Sequence, residues 1–114
     1  MDVRKSSEHI AIQLEQLAEI CRQGHASEIM VRTLEKLFGY ERENSRSQLE
    51  EIQQDLLAFE REHGMSSEAF YERCQEGKTD DRMDFVEWAF LVQMKNRLEK
   101  HLSILEPAQR HEPA

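Results

Sequence analysis

Four carboxylates crowd one short stretch of the chain: Asp80, Asp81, Asp84 and Glu87. Asp80, Asp84 and Glu87 share a face at helical spacing, and a face of carboxylates can bind Mg²⁺. Carboxylate pairs of this sort on two adjacent helices can hold a catalytic Mg²⁺, and Asp81-x-x-Asp84-x-x-Glu87 matches half of such a site. The other half is missing, because Glu60, Glu62, Glu68 and Glu72 do not repeat the three-residue spacing. The same residues also read as acidic partners of a helix N-terminus, or as a docking surface for basic groups. The dipole reading carries most weight, docking next, metal last.

Little else in the sequence has the spacing that chemistry requires. Cys21 and His25 are four apart, but Gly24 lies between them and no further zinc ligands are in view. Cys74 stands apart from Cys21, with no Cys-x-x-Cys pair, so both read as reduced packing thiols. No Ser-His-Asp or Cys-His grouping and no Gly-rich phosphate loop is recognisable. His63 sits at a seam position near a helix end, where the helix dipole accounts for it. The expectation is a protein that is not an enzyme and uses no cofactor or metal.

Composition points the same way. The 114 residues have room for one domain, burying roughly 65% of the surface of the unfolded chain. With four Gly, two Pro and 33% charged residues, the mixture suits helices with wet outer faces. A net charge of −8 repels phosphate backbones, and no basic stripe offsets it, so direct nucleic-acid binding is not expected. Met1 to Ser6 has no signal-peptide core and the longest apolar run, Ala89 to Val92, is too short for a membrane, so a cytoplasmic location is expected.

The elements that would position these residues are helices. Ile10, Leu14, Leu17 and Cys21 form an amphipathic stripe that Gly24 stops. Ser27 suits an N-cap, Glu28 favours the positive end of the next helix, and Met30, Val31, Leu34, Leu37 and Phe38 open a new apolar face. Leu49, Ile52, Leu56 and Phe59 follow at seam positions of a heptad. The spacing favours one unbroken helix through Gly39, which costs only about 1 kcal/mol there. Gly64 stops it, Ser66 caps a short helix, and Met65 is placed to staple against Phe70. Asp81 is a candidate N-cap for the last helix, which Pro107 ends.

The sequence thus predicts an all-α fold: a long coiled-coil-like helix packed against a C-terminal helix, with a short connecting helix and an extra N-terminal helix. The helices fall at about 8–23, 27–63, 67–76 and 82–105 in a single domain over 1–106, with a disordered tail at 107–114. On the last helix Met83, Phe90, Leu91, Met94, Leu98, Leu102 and Leu105 form one side, expected to lie along the heptad helix. Phe85, Trp88, Ala89 and Val92 form the other, to be covered by Phe70, Tyr71 and Cys74 or by another chain. The narrow seam of Leu49, Ile52, Leu56 and Phe59 is expected to join two copies as a homodimer.

Two stretches carry a family resemblance: Glu60-Arg61-Glu62-His63-Gly64-Met65-Ser66-Ser67-Glu68-Ala69-Phe70-Tyr71 and Asp80-Asp81-Arg82-Met83-Asp84-Phe85-Val86-Glu87-Trp88-Ala89. With the heptad helix before them, the chain resembles the small helical antitoxins encoded beside TumE-type toxins, over roughly Thr33 to Leu105. That resemblance implies a protein that binds and neutralises a cognate toxin, a ribonuclease, and performs no catalysis. From their chemistry, Asp80, Asp81, Asp84, Phe85, Glu87 and Trp88 are the expected partner surface. The helix before Ser27 departs from the shorter relatives and bears on the oligomer. Two other readings stand beside it: a self-assembling coiled-coil adaptor or scaffold, and the Mg-dependent nucleotide pyrophosphatase.

Overall fold

The computed structural model describes residues 3–106, so the tail expected at 107–114 lies outside the described residues. Four helices run in order, α1 Val3–Arg22, α2 Glu28–His63, α3 Ser67–Gln75 and α4 Met83–Leu105. With 85% of the structure helical, the chain is all-α, and α2 packs against α4 as the sequence predicts. The chain divides into two compact units, residues up to 37 and residues from 38 onward.

In the first unit, α1 starts at Val3, five residues before the expected position. It ends as its apolar stripe runs into Gly24, whose φ of +76° is open to glycine at little cost. The His25 N–H then donates to the Ile20 carbonyl at 3.0 Å, satisfying one of the last acceptors of the helix. Ser27 caps α2 as expected, its Oγ accepting from the Met30 N–H at 3.1 Å. No residue of α1 is buried.

The second unit holds the core. α2 continues without a break through Gly39 to His63. Gly64, at φ +64°, turns the chain and donates to the Glu60 carbonyl at 2.8 Å. Ser66 then caps α3, its Oγ accepting from the Ala69 N–H at 3.1 Å. Met65, one residue before the cap, packs on the cluster that holds Phe70.

Ile52 and Leu56 of α2, Phe70 of α3 and Trp88 and Val92 of α4 are the buried core, with Phe59, Phe85, Leu91, Met94 and Leu98 packed around it. Burial of each aliphatic or Phe side chain there contributes about 1.5–3 kcal/mol. At the far end, Arg42 donates to the Leu105 carbonyl at 2.9 Å, and Arg46 holds both oxygens of Glu106 at 2.9 and 3.0 Å. These contacts satisfy an orphan acceptor of α4 and tie its C-terminus to α2.

One assignment on α4 is corrected. The side that includes Trp88 and Val92 is the most deeply buried, covered by α3 and by the α2 seam. On the side expected along α2, Leu91, Met94 and Leu98 reach the core, but Met83 and Phe90 are 79% and 54% exposed. The physical reason is that α3, short as it is, brings Phe70 and Tyr71 over α4, so α4 is covered from two directions and turns its Met83–Phe90 edge outward. The N-cap is also corrected: α4 is preceded by Arg82, with no side-chain cap, and Asp81 does not cap it.

Candidate functional site

Trp88 is not a partner-facing residue. It is fully buried, with its ring 3.8 Å from the Phe70 ring centroid at an interplanar angle of 4°. Phe59 and His63 of α2 also stack on it, at 5.5 and 5.3 Å. Its indole N–H donates to Ser67 Oγ at 2.9 Å, and the Ser67 N–H in turn donates to Glu60 Oε2 at 2.9 Å. An indole buried this deeply needs its one donor satisfied, and the first residue of α3 supplies the acceptor. The Gly-Met-Ser-Ser turn is therefore a device for holding Trp88. Phe85, also expected at the partner surface, leans on the same rings, 5.4 Å from Phe70 and 5.2 Å from His63.

The expected oligomer seam is corrected too. Ile52 and Leu56 are buried within this chain and Phe59 is stacked on Trp88. Only Leu49, half-buried, lies outside that cluster. The seam is narrow because a single chain fills it.

The acidic group divides in two. Asp80, Asp81 and Glu87 are exposed. Asp84 is drawn inward: its Oδ2 lies 3.0 Å from the Arg82 guanidinium and 3.5 Å from His63 Nε2. Glu62 Oε2 is 3.8 Å from the same nitrogen. That nitrogen is shielded from solvent and makes no hydrogen bond. Among the described residues, Glu62, His63 and Asp84 are the three that bring ligand atoms together, within 4.8 Å of one another. A cation there would share the Asp84 oxygen with Arg82, whose positive charge opposes it. The grouping therefore reads as the Arg82–Asp84 ion pair set beside His63 at the edge of the Trp88 stack. The half-motif Asp81-x-x-Asp84-x-x-Glu87 does not converge, since Asp84 faces α2 while Asp81 and Glu87 face solvent. Sequence spacing along α4 missed Glu62 and His63 as its neighbours; the seam register that continues from Phe59 to His63 is the one signal that pointed there.

What the structure leaves open is the edge of α4. Met83, Val86 and Phe90 recur at spacings of three and four and are 79%, 54% and 54% exposed. Beside Val86 and Phe90 lies a shallow depression of about 400 Å³, lined also by Phe85 and Ala89 and closed by Cys74, Thr79, Asp80 and Asp81. Thr79 Oγ1 meets Cys74 Sγ at 3.5 Å, and Gln93 donates to the Tyr71 hydroxyl at 3.0 Å, so α3 and the loop after it form a firm wall. Glu87 stands on the outer face between Met83 and Phe90. The arrangement is an apolar strip with an acidic border. A second cleft, about 230 Å³ between Leu56, Tyr71 and Val92, is below the range of small-molecule pockets.

No helix of the described chain is long and apolar enough to cross a membrane. No protein-family model matches the chain, and no curated protein and no solved structure does either.

Proposed function

We propose that this protein works by capturing another protein, in the manner of an antitoxin that neutralises a basic, RNA-cleaving toxin by direct contact in the cytoplasm, with no catalysis of its own. The observation that carries this reading is the exposed strip Met83, Val86 and Phe90 bordered by Asp80, Asp81 and Glu87. An aromatic side chain standing in an apolar patch with a polar rim is the composition of an interface hot spot. A protein that grips RNA must carry Arg or Lys for the phosphates, and those groups pair with exposed carboxylates through charge-assisted hydrogen bonds. The net charge of −8 would speed the encounter. The Gly-Met-Ser and Asp-Phe-x-Glu-Trp-Ala motifs favour the antitoxin reading over a generic adaptor. In this reading the protein acts as a homodimer, with a surface other than Leu49, Ile52, Leu56 and Phe59.

The test is co-expression with a toxic protein encoded in the adjacent frame. Rescue of growth by the parent chain is expected, and Phe90→Ala and the pair Asp80→Lys with Asp81→Lys should lose it while melting like the parent. Failure of the parent chain to rescue a demonstrably toxic neighbour would overturn the antitoxin role. Full rescue by both folded variants would overturn the surface.

A further inference from the structure

The cleft of about 230 Å³ in the second unit is walled by three helices, each of which turns one face to it. Leu56 and Glu60, one turn apart, come from α2, Glu68, Tyr71 and Glu72 from α3, and Val92 and Lys95 from α4. Leu56 and Val92 are buried and make an apolar floor, while Glu68 and Glu72 stand exposed at the rim. Lys95 is the one cation in the lining, and its ammonium is drawn along α4 to Glu99, 3.5 Å away. Among the described residues no cation pairs with Glu60, Glu68 or Glu72, and Glu60 accepts only the Ser67 N–H, through one oxygen. The cleft is therefore apolar below and anionic above, with its negative charge unspent.

We propose that this cleft receives the guanidinium of one Arg of the captured partner. The inference rests on the capture reading above and gives it a second anchor, apart from the Phe90 strip. Size selects a single side chain. A volume of about 230 Å³ holds about seven groups of water size at roughly 30 Å³ each, which is close to the heavy-atom count of an Arg side chain. The spread of the charge selects Arg over a compact cation. The three carboxylates come from two helices and are not among the groups whose ligand atoms gather within 4.8 Å, the convergence that a metal ion needs. A guanidinium spreads five donors over a plane, is more weakly hydrated than an ammonium, and stacks on an aromatic ring such as Tyr71. Its methylene stem meets Leu56 and Val92, as long cationic side chains do on apolar surface.

The position suits the same partner. Tyr71 lines this cleft, Gln93 lines the depression beside Val86 and Phe90, and the two side chains are hydrogen bonded at 3.0 Å. One side-chain pair is thus the shared wall of the two sites.

The probe is N-acetyl-arginine amide, titrated at constant ionic strength into the isotope-labelled chain and followed by amide chemical shifts. Saturable shifts are expected at residues 67–72, 92 and 95, half-complete in the millimolar range proper to one side chain. The neutral citrulline analogue and the lysine analogue should bind at least about tenfold more weakly. The pair Glu68→Gln with Glu72→Gln should weaken the arginine probe by a similar factor, while unchanged emission of Trp88, the single tryptophan, excludes unfolding of the core. Glu60 is left intact because it holds the Ser67 N–H. Shifts no larger in the cleft than at the exposed Glu50 and Glu51 of α2, or binding that the Gln pair leaves unaltered, would overturn the site. Equal binding of the lysine analogue would overturn the guanidinium. In the co-expression assay the folded Gln pair should lose rescue; rescue lost with Phe90→Ala but kept by the Gln pair would overturn the second anchor alone. A parent chain that gives no rescue would overturn the capture reading, and a cleft that still takes the arginine probe would show that failure to be separate from the cleft's own chemistry.

Discussion

Replacing Trp88 by Ala separates the core from the partner surface more sharply than any other single change. Truncating a fully buried Trp costs about 3–5 kcal/mol through lost transfer energy and an unfilled cavity. Ser67 Oγ also loses the donor that reaches it at 2.9 Å, which adds about 1 kcal/mol. A total of about 4–6 kcal/mol compares with about 5–15 kcal/mol for the whole stability of a typical domain, so the second unit should be largely or wholly unfolded. Trp88→Phe keeps a ring against Phe70 but leaves Ser67 unpaired, and should cost about 1–3 kcal/mol. The assay is urea unfolding followed by far-ultraviolet circular dichroism, since the variants carry no tryptophan to follow by fluorescence. A Trp88→Ala chain that unfolds at the parent's urea concentration, yet no longer captures its partner, would place the indole at an interface and refute the packing argument.

Phe90→Ala should shift the unfolding midpoint by less than about 1 kcal/mol, because the side chain is half exposed, while costing about 2 kcal/mol or more of partner affinity by calorimetry. The two glycines of the long helix region should respond with opposite sign: Gly39→Ala, in a helix interior with open space around its Cβ, gains up to about 1 kcal/mol. Gly64→Ala, at φ +64°, loses about 1 kcal/mol, and equal thermal shifts for the two would contradict the backbone assignment. His63→Phe keeps a ring beside Trp88 and removes a shielded nitrogen that makes no hydrogen bond. Its melting temperature should match or exceed the parent's, and a loss worth more than about 1 kcal/mol would show that the pairing with Asp84 outweighs the burial of that nitrogen.

The helices were legible because each carries its own signals. Gly24, Ser27, Gly64 and Ser66 mark ends through local backbone chemistry, and the structure uses all four where the sequence placed them. Local signals also explain why α2 runs unbroken: Gly39 weakens a helix by about 1 kcal/mol, which neighbouring residues of good helix propensity offset. The faces of α4 were less legible. A helix with apolar residues on both sides tells the reader that two surfaces cover it, but periodicity assigns no partner to either side. The deciding contact, Trp88 on Phe70, links residues whose relation depends on the turn at Gly64–Ser66 and on the loop at Lys78–Arg82.

The same reasoning explains why the most conspicuous hot-spot residue by type turned out to belong to the core. Trp and Phe have one composition in both settings, an apolar body with, for Trp, one donor to satisfy. What distinguishes the settings is where that donor finds its acceptor. Ser67 is the first residue of α3, and its own N–H is held by Glu60 at the end of α2. The chain Glu60, Ser67, Trp88 therefore runs across three helices and spends the indole on internal order. Once Trp88 is so committed, the rest of α4 is constrained: Val92 follows it inward one turn later, and Met83, Val86 and Phe90 are left outside. The exposed strip is a consequence of how the core is closed, and in the proposed capture it is Phe90, which no motif singles out, that takes the role residue type alone would have given to Trp88.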